Sequence, residues 1–213
     1  MIRIALTKGR LEKKAIELFE AIGFDCSDLR NKGRRLILPI NNQPYEVILA
    51  KAADVLTYIE HGVCDIGIVG KDTIMEYGGT FFEMIDLKFG SCQLSLANKV
   101  GEDFYSGYNI KRIASKYPNT AKEYFKQKGM DVQVIKIEGS VELAPLVNLS
   151  DGIVDIVETG ITLKENGLEV IEVIAEVSAR FIVNTISLKI HQKEIEELIS
   201  KIENYLKIKE EVQ

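Results

Sequence analysis

Between Asp155 and Gly167 the chain reads DIVETGITLKENG. Two acids, Asp155 and Glu158, end an apolar, strand-like run. Thr159, Gly160, Ile161 and Thr162 follow, and Leu163 to Asn166 begins a short helical pattern. A phosphate monoester is held well by backbone N–H groups at a helix start, because those donors have no partner inside the helix and the peptide dipoles add partial positive charge. Gly160 lets the backbone approach such a ligand closely, and Thr159 and Thr162 add hydroxyl donors. The carboxylates upstream can accept hydrogen bonds from the 2′- and 3′-hydroxyls of a ribose, or help to hold a magnesium ion. Sugar and phosphate then lie on one continuous loop. The same residues also read as an ordinary capped helix, with Thr159 or Thr162 as the cap and Asp155 solvated at a strand edge.

Other positions carry weaker signals. LTKGRL places Lys8 and Arg10 just after a strand and before a helix, where an open α/β sheet takes its anionic ligands; an exposed basic turn is the plainer reading. DIGIVGKD ends a strand at Gly70 and puts Asp72 where it serves equally as an N-cap or a ligand contact. Glu142, after a Gly-Ser turn, suits a ribose or a magnesium ion, and equally a dipole-stabilised acid in a first helical turn. Cys26, Cys64 and Cys92 are odd in number and widely spaced, which argues against a disulfide framework or a zinc site. Cys92 reads as core and His61 as surface, and neither belongs to a nucleophilic or metal-binding pattern.

The elements that must position these residues alternate. β-Branched runs (IRIAL, RLILPI, EVILA, DIGIVG, QLSLA, DVQVIKI, GIVDIV, RFIVN) take turns with amphipathic helical stretches such as LEKKAIELFEAIG, ADVLTYIEHG, TAKEYFKQKG and HQKEIEELISKIENYLKIKEE. This order predicts an α/β protein with mostly parallel sheets flanked by helices. Its 213 residues suit one large domain or two small ones around a cleft. With no linker or repeat, a second lobe must arise by the chain crossing over and returning. We expect residues 1–92 with 179–213 in one lobe and 93–178 in an inserted lobe. A net charge of −5 without a basic block argues against nucleic acid. The N-terminal apolar run is too short for a signal peptide, and no stretch approaches a membrane span, so a cytoplasmic protein is expected.

Five segments, in order, bear a resemblance that covers most of the chain: LTKGRL, YIEHGVCDIGIVGKD, ASKYPNTAKEYF, GSVELAPLVNLSDGIVDIVETG and SARFIVN. They resemble the ATP phosphoribosyltransferases, the first enzymes of histidine biosynthesis, and DIVETGITLKENGL resembles that family's phosphoribosyl-pyrophosphate loop. The resemblance implies a two-lobed fold of the type II periplasmic-binding-protein kind, with ATP, phosphoribosyl pyrophosphate and Mg2+ at the cleft. It implies that Arg10 and Arg34 face the departing pyrophosphate. Arg35 stands beside Arg34, leaving the register open by one residue. Lys8, Glu142, Asp155, Glu158, Thr159, Gly160, Ile161 and Thr162 are the implied substrate contacts. AKAADV departs from the family's commoner Arg-x-x-Asp by placing Lys51 before Asp54, which keeps the charge and loses the planar fork. The length resembles the short form, a homodimer alone that works with a regulatory subunit similar to histidyl-tRNA synthetase. A non-catalytic small-molecule sensor of the periplasmic-binding kind is the alternative, and a regulatory subunit is another.

Overall fold

The computed structural model describes residues 1–211. Its contacts divide into two compact units, Met1–Gly90 with Ser178–Gln213, and Ser91–Val177. Val212 and Gln213, which the expected first lobe included, lie outside the described residues.

The first unit begins β1 (Ile2–Thr7), α1 (Arg10–Ala21), α2 (Ser27–Arg30), β2 (Ile37–Ile40), β3 (Tyr45–Ala50), α3 (Ala52–Glu60), β4 (Ile66–Gly70), α4 (Lys71–Tyr77) and β5 (Phe81–Asp86). The second contains β6 (Cys92–Lys99), β7 (Lys111–Ser115), α5 (Pro118–Gln127), β8 (Val132–Lys136), α6 (Leu143–Leu146), β9 (Gly152–Val157), α7 (Ile161–Glu165) and β10 (Leu168–Val177). The chain then returns to the first unit with β11 (Ala179–Asn184), α8 (Ser187–Ile190) and α9 (Gln192–Glu211).

In the first unit the sheet order is β2-β3-β1-β4-β11-β5. Strand alternation sorts β1 between two cores: Ile2, Ile4 and Leu6 join one, Ala5 the other. The larger core takes Ala15, Ile16, Leu18 and Phe19 of α1, spaced as one helical face, together with Ile195, Leu198 and Ile202 of α9. The apolar stripe of the C-terminal helix is therefore spent on its own unit. On the opposite face Val55, Leu56 and Ile59 of α3 are buried. A Cβ at Gly67 of β4 would come within 2.9 Å of Ile182 and 3.0 Å of both Ile59 and Val55, so this helix packs down on the strand because a glycine is there.

The second sheet runs β10-β6-β9-β7-β8. Ala97, Ala114, Val141, Ala144, Ile153, Leu163 and Leu168 form a buried cluster that fastens α6 and α7 to it. Both sheets prove mixed. Three neighbouring strands are parallel in each, β3-β1-β4 and β9-β7-β8, and the others pair antiparallel. The α/β class follows from the alternation as expected, while β5, β7 and β10 add strands that the runs did not announce. What matters for chemistry is the carboxyl edge of the parallel strands. β1 and β3 end in register at Thr7 and Ala50, and β9 ends at Val157, each followed by one of the loops singled out above.

Candidate active site

At the end of β9 the backbone turns through Gly160, whose φ of 72° and ψ of −2° are left-handed, and enters α7. A β-branched residue adopts that conformation only under strain. α7 has five residues, so its macrodipole is small and the local donors matter more. The N–H of Ile161 lies 3.5 Å from the Thr159 hydroxyl oxygen, and the Asn166 side-chain amide donates to the Thr162 carbonyl at 2.8 Å, closing the far end of the turn. The Thr162 hydroxyl has no partner among the described residues.

This loop walls a pocket of about 240 Å³. Glu142, Asp155, Glu158, Thr159, Gly160 and Thr162 line it, with Ile156, Val157 and Leu163 as apolar wall. Glu142 reaches it from the N-cap of α6, 13 residues before Asp155 in sequence, and its carboxylate has no partner among the described residues. Acceptors and donors thus face one volume. Ile161 does not line the pocket and is 59% exposed. The apolar wall was not read from the sequence, although alternation along β9 and the first turn of α7 contained the signal.

The basic candidates belong to the first unit. Lys8 continues the β1–β3 ladder, its N–H donating to the Ala50 carbonyl at 2.9 Å. Gly9, with φ 99°, then turns the chain into α1, and Lys8 and Arg10 are both exposed. Of the two neighbouring arginines, Arg35 is committed to Asp28 at 2.9 Å, while Arg34 is exposed with no partner among the described residues. Of the two, Arg34 is thus the guanidinium without an ion-pair partner among the described residues. Lys51 caps α3 with extended backbone and is exposed, as is Asp54 in the next turn. Asp72 sits inside the first turn of α4, whose cap is Gly70, so it is not the N-cap that its spacing allowed. Lys71 pairs with Glu83 at 2.6 Å.

All three cysteines are buried, and among the described residues none forms a disulfide. Burial pushes the Cys26 thiol up to about 11 and that of Cys64 to about 12, leaving both poor nucleophiles. His61 is exposed. Among the described residues no helix is long and apolar enough to cross a membrane.

A family model described as HisG, ATP phosphoribosyltransferase, matches residues 51–204. The chain belongs to the ATP phosphoribosyltransferase family. Its relatives include the ATP phosphoribosyltransferase of Clostridium acetobutylicum, 57% identical over 96% of this chain and 95% of that one. That of Clostridium kluyveri is 57% identical over 95% and 92%. Among solved structures, the "ATP phosphoribosyl transferase (HisG:HisZ) complex from Thermotoga maritima" superposes with a TM-score of 0.83 at 32% identity, covering 97% of this chain and 99% of that one. The periplasmic aliphatic sulphonate binding protein SsuA from Escherichia coli superposes with a TM-score of 0.60 at 9% identity, over 96% of this chain and 72% of that one. That second likeness shows the fold alone: two α/β halves of the periplasmic-binding kind. Membership of the family makes the chain an enzyme, a phosphoribosyltransferase and hence a glycosyltransferase, and the sensor alternative is not favoured. Lys8, Arg10 and Arg34 precede the stretch that the family model matches.

Proposed function

We propose that this chain joins ATP to phosphoribosyl pyrophosphate, giving N1-(5-phosphoribosyl)-ATP and pyrophosphate, the first step of histidine biosynthesis. The observation that carries this reading is the pocket at the end of β9, where carboxylates and a glycine-centred donor loop face one volume in a chain of this family.

The loop from Thr159 to Thr162 anchors the 5′-phosphate through its hydroxyls and backbone N–H groups. Asp155 and Glu158 accept from the ribose hydroxyls, and Glu142, which lines the same pocket, serves the ribose or magnesium. Adenine N1 already has a free lone pair, so no base is needed to create the nucleophile. The N1–C1′ bond forms as the C1′–O bond breaks, and the bonding pair leaves with pyrophosphate. Because the carbon gains oxocarbenium character while the leaving group gains charge, catalysis consists of positioning and of cations placed at the pyrophosphate. Lys8, Arg10 and Arg34 supply that charge, the arginines through planar forks that match phosphate oxygens.

The pocket's donor set is made of carboxylate oxygens, which fit magnesium. Among the described residues no group of three or more His, Cys, Asp or Glu is arranged to hold a metal ion. Asp155 and Glu158, with Glu142 near them, would therefore hold Mg2+ together with substrate phosphate oxygens, the usual mode for this ion. When bound it adds positive charge to the pyrophosphate. The reaction draws on ATP and runs in the cytoplasm. The chain is a homodimer alone and associates with a regulatory subunit similar to histidyl-tRNA synthetase; the likeness to the Thermotoga maritima HisG:HisZ complex supports the second subunit.

The test is direct. Purified chain, ATP, phosphoribosyl pyrophosphate, magnesium and a pyrophosphatase are mixed, and absorbance near the purine band is followed. Rising absorbance that needs both substrates is the expected result, and none at any enzyme concentration would refute the reading.

A further inference from the structure

Glu12 has no part in the reaction as written, yet its buried carboxylate joins two turns. It is 4% exposed. One oxygen accepts the N–H of Gly9 at 3.3 Å, and the other accepts from the ammonium of Lys32. Gly9 is the pivot that sets the direction of Arg10. Lys32 opens the turn Lys32-Gly33-Arg34-Arg35, which is closed by the Arg35 N–H donating to the Lys32 carbonyl at 3.0 Å, with Gly33 at φ 59°. The far end of the turn is fixed as well: the Arg35 guanidinium donates to Asp28 at 2.9 Å and to the Asn31 carbonyl at 3.3 Å. Arg34 is left at the tip, held by its neighbours on both sides and itself without a partner among the described residues.

Burying an ion pair is a poor way to gain stability, since apolar side chains of similar volume commonly do as well. Such a pair does fix register. We propose that Glu12 and Lys32 are positioning residues, a single carboxylate and its ammonium partner holding the Arg10 turn and the Arg34 turn in one arrangement so that both guanidinium groups meet the same departing pyrophosphate. The proposal rests on the roles given to Arg10 and Arg34 above. Glu12 is buried and the Lys32 ammonium is spent on it, so both residues act through the arginines. Their loss acts through displaced arginines, and because charge at the pyrophosphate develops on the way to the transition state, it falls on turnover more than on ground-state binding.

The experiment compares Glu12→Gln, Lys32→Met, Lys32→Arg and the double variant Glu12→Gln/Lys32→Met with the unaltered chain. Glu17→Gln, which removes an exposed pair with Lys14 on the same helix, is the control. Each is assayed for kcat and KM, for affinity towards inorganic pyrophosphate by calorimetry, and for melting temperature. Glu12→Gln and Lys32→Met are each expected to lower kcat by about 10- to 100-fold with KM changed by less than about threefold, and to weaken pyrophosphate binding. The double variant should be no worse than the poorer single one, because both break the same bridge. Lys32→Arg should recover most of the activity, and the control should match the unaltered chain. Folded variants with unaltered kcat, losses that multiply in the double variant, or unaltered pyrophosphate affinity would overturn the proposal. Lys32 is partly exposed, so its variants keep the test decisive should Glu12→Gln fail to fold. An unaltered chain that forms no phosphoribosyl-ATP overturns the reaction reading itself, whereas an active chain indifferent to these substitutions overturns the positioning role alone.

Discussion

Two polar clusters of the second unit differ in what they leave open. Around Glu172 of β10, the hydroxyls of Tyr105 and Tyr124 and the ammonium of Lys128 all donate to one carboxylate, and Lys128 also lies 3.1 Å from the Tyr105 hydroxyl. The ammonium sits over both rings, 5.3 and 5.2 Å from their centroids. Each group in that cluster is answered by another. In the pocket at the end of β9, the Glu142 carboxylate and the Thr162 hydroxyl have no partner among the described residues, and a left-handed glycine shapes the loop. Closed networks stiffen a fold. Groups left open can take a ligand, and on the function proposed above the comparison separates groups that hold the protein together from groups that meet a substrate.

The largest effect belongs to Gly160→Val. A Cβ there would meet only Val157, at 3.9 Å, so the side chain has room; the cost lies in the positive φ. Forcing a β-branched residue into it costs about 1–3 kcal/mol locally, or shifts the loop. Phosphoribosyl pyrophosphate affinity and activity should fall more than ~100-fold while circular dichroism shows a folded chain. Unchanged affinity by calorimetry would remove the loop from the site.

Arg34→Ala comes next. If its charge serves the leaving group, turnover should fall by an amount on the order of 2–4 kcal/mol in activation free energy, with a smaller change in substrate binding. Arg35→Ala, which breaks the pair with Asp28 at the far end of the Arg34 turn, should cost modest stability and lower turnover by less than Arg34→Ala does, because it loosens the turn and leaves the Arg34 guanidinium in the chain. A loss at Arg34 confined to KM would leave it a ground-state contact. Smaller again is Thr162→Val. The hydroxyl has no partner among the described residues, so melting should not change, while phosphoribosyl pyrophosphate binds more weakly by about 1.5–3 kcal/mol, the worth of a hydrogen bond to a charged group.

How much of this was legible in the sequence depended on the range of the interaction. The pocket loop was legible because its donors and acids are adjacent in sequence and their types state their chemistry. β-Strands with clean runs were legible too. β10 was not: it carries register shifts between Val170 and Glu172 and between Val173 and Ala175, and such bulges break the alternation by which a strand is recognised. β5 has three consecutive exposed residues, Phe82 to Met84, and so lacks the alternation as well. The bond from Lys32 to Glu12 spans 20 residues and that from Lys128 to Glu172 spans 44, and no local pattern announces either. The mixed strand directions escaped for the same reason, since alternation of element types says nothing about where a returning strand will pair.

The closed cluster supplies the last and smallest test. Glu172→Gln removes the charge that three donors share at a partly exposed site, and should cost about 1–2 kcal/mol of stability with turnover unaltered. Its pH dependence is specific. Lys128 first, then the Tyr105 and Tyr124 hydroxyls, hold the Glu172 carboxyl down at about 2, against an ordinary value of 4.5. The unfolded chain therefore binds a proton at Glu172 before the folded chain does as pH falls. The stabilisation is complete above the unfolded value and is lost progressively as pH drops from about 5 towards 2. Other carboxylates with lowered values, Asp86 and Asp151 among them, give both proteins a background slope in the same direction. The difference between the unaltered chain and Glu172→Gln is thus the quantity to follow. It should be constant near neutrality and shrink towards zero in acid. A difference that stays level through that window would show that the carboxylate's charge is not what closes the cluster, and the contrast with the open pocket would then rest on geometry alone.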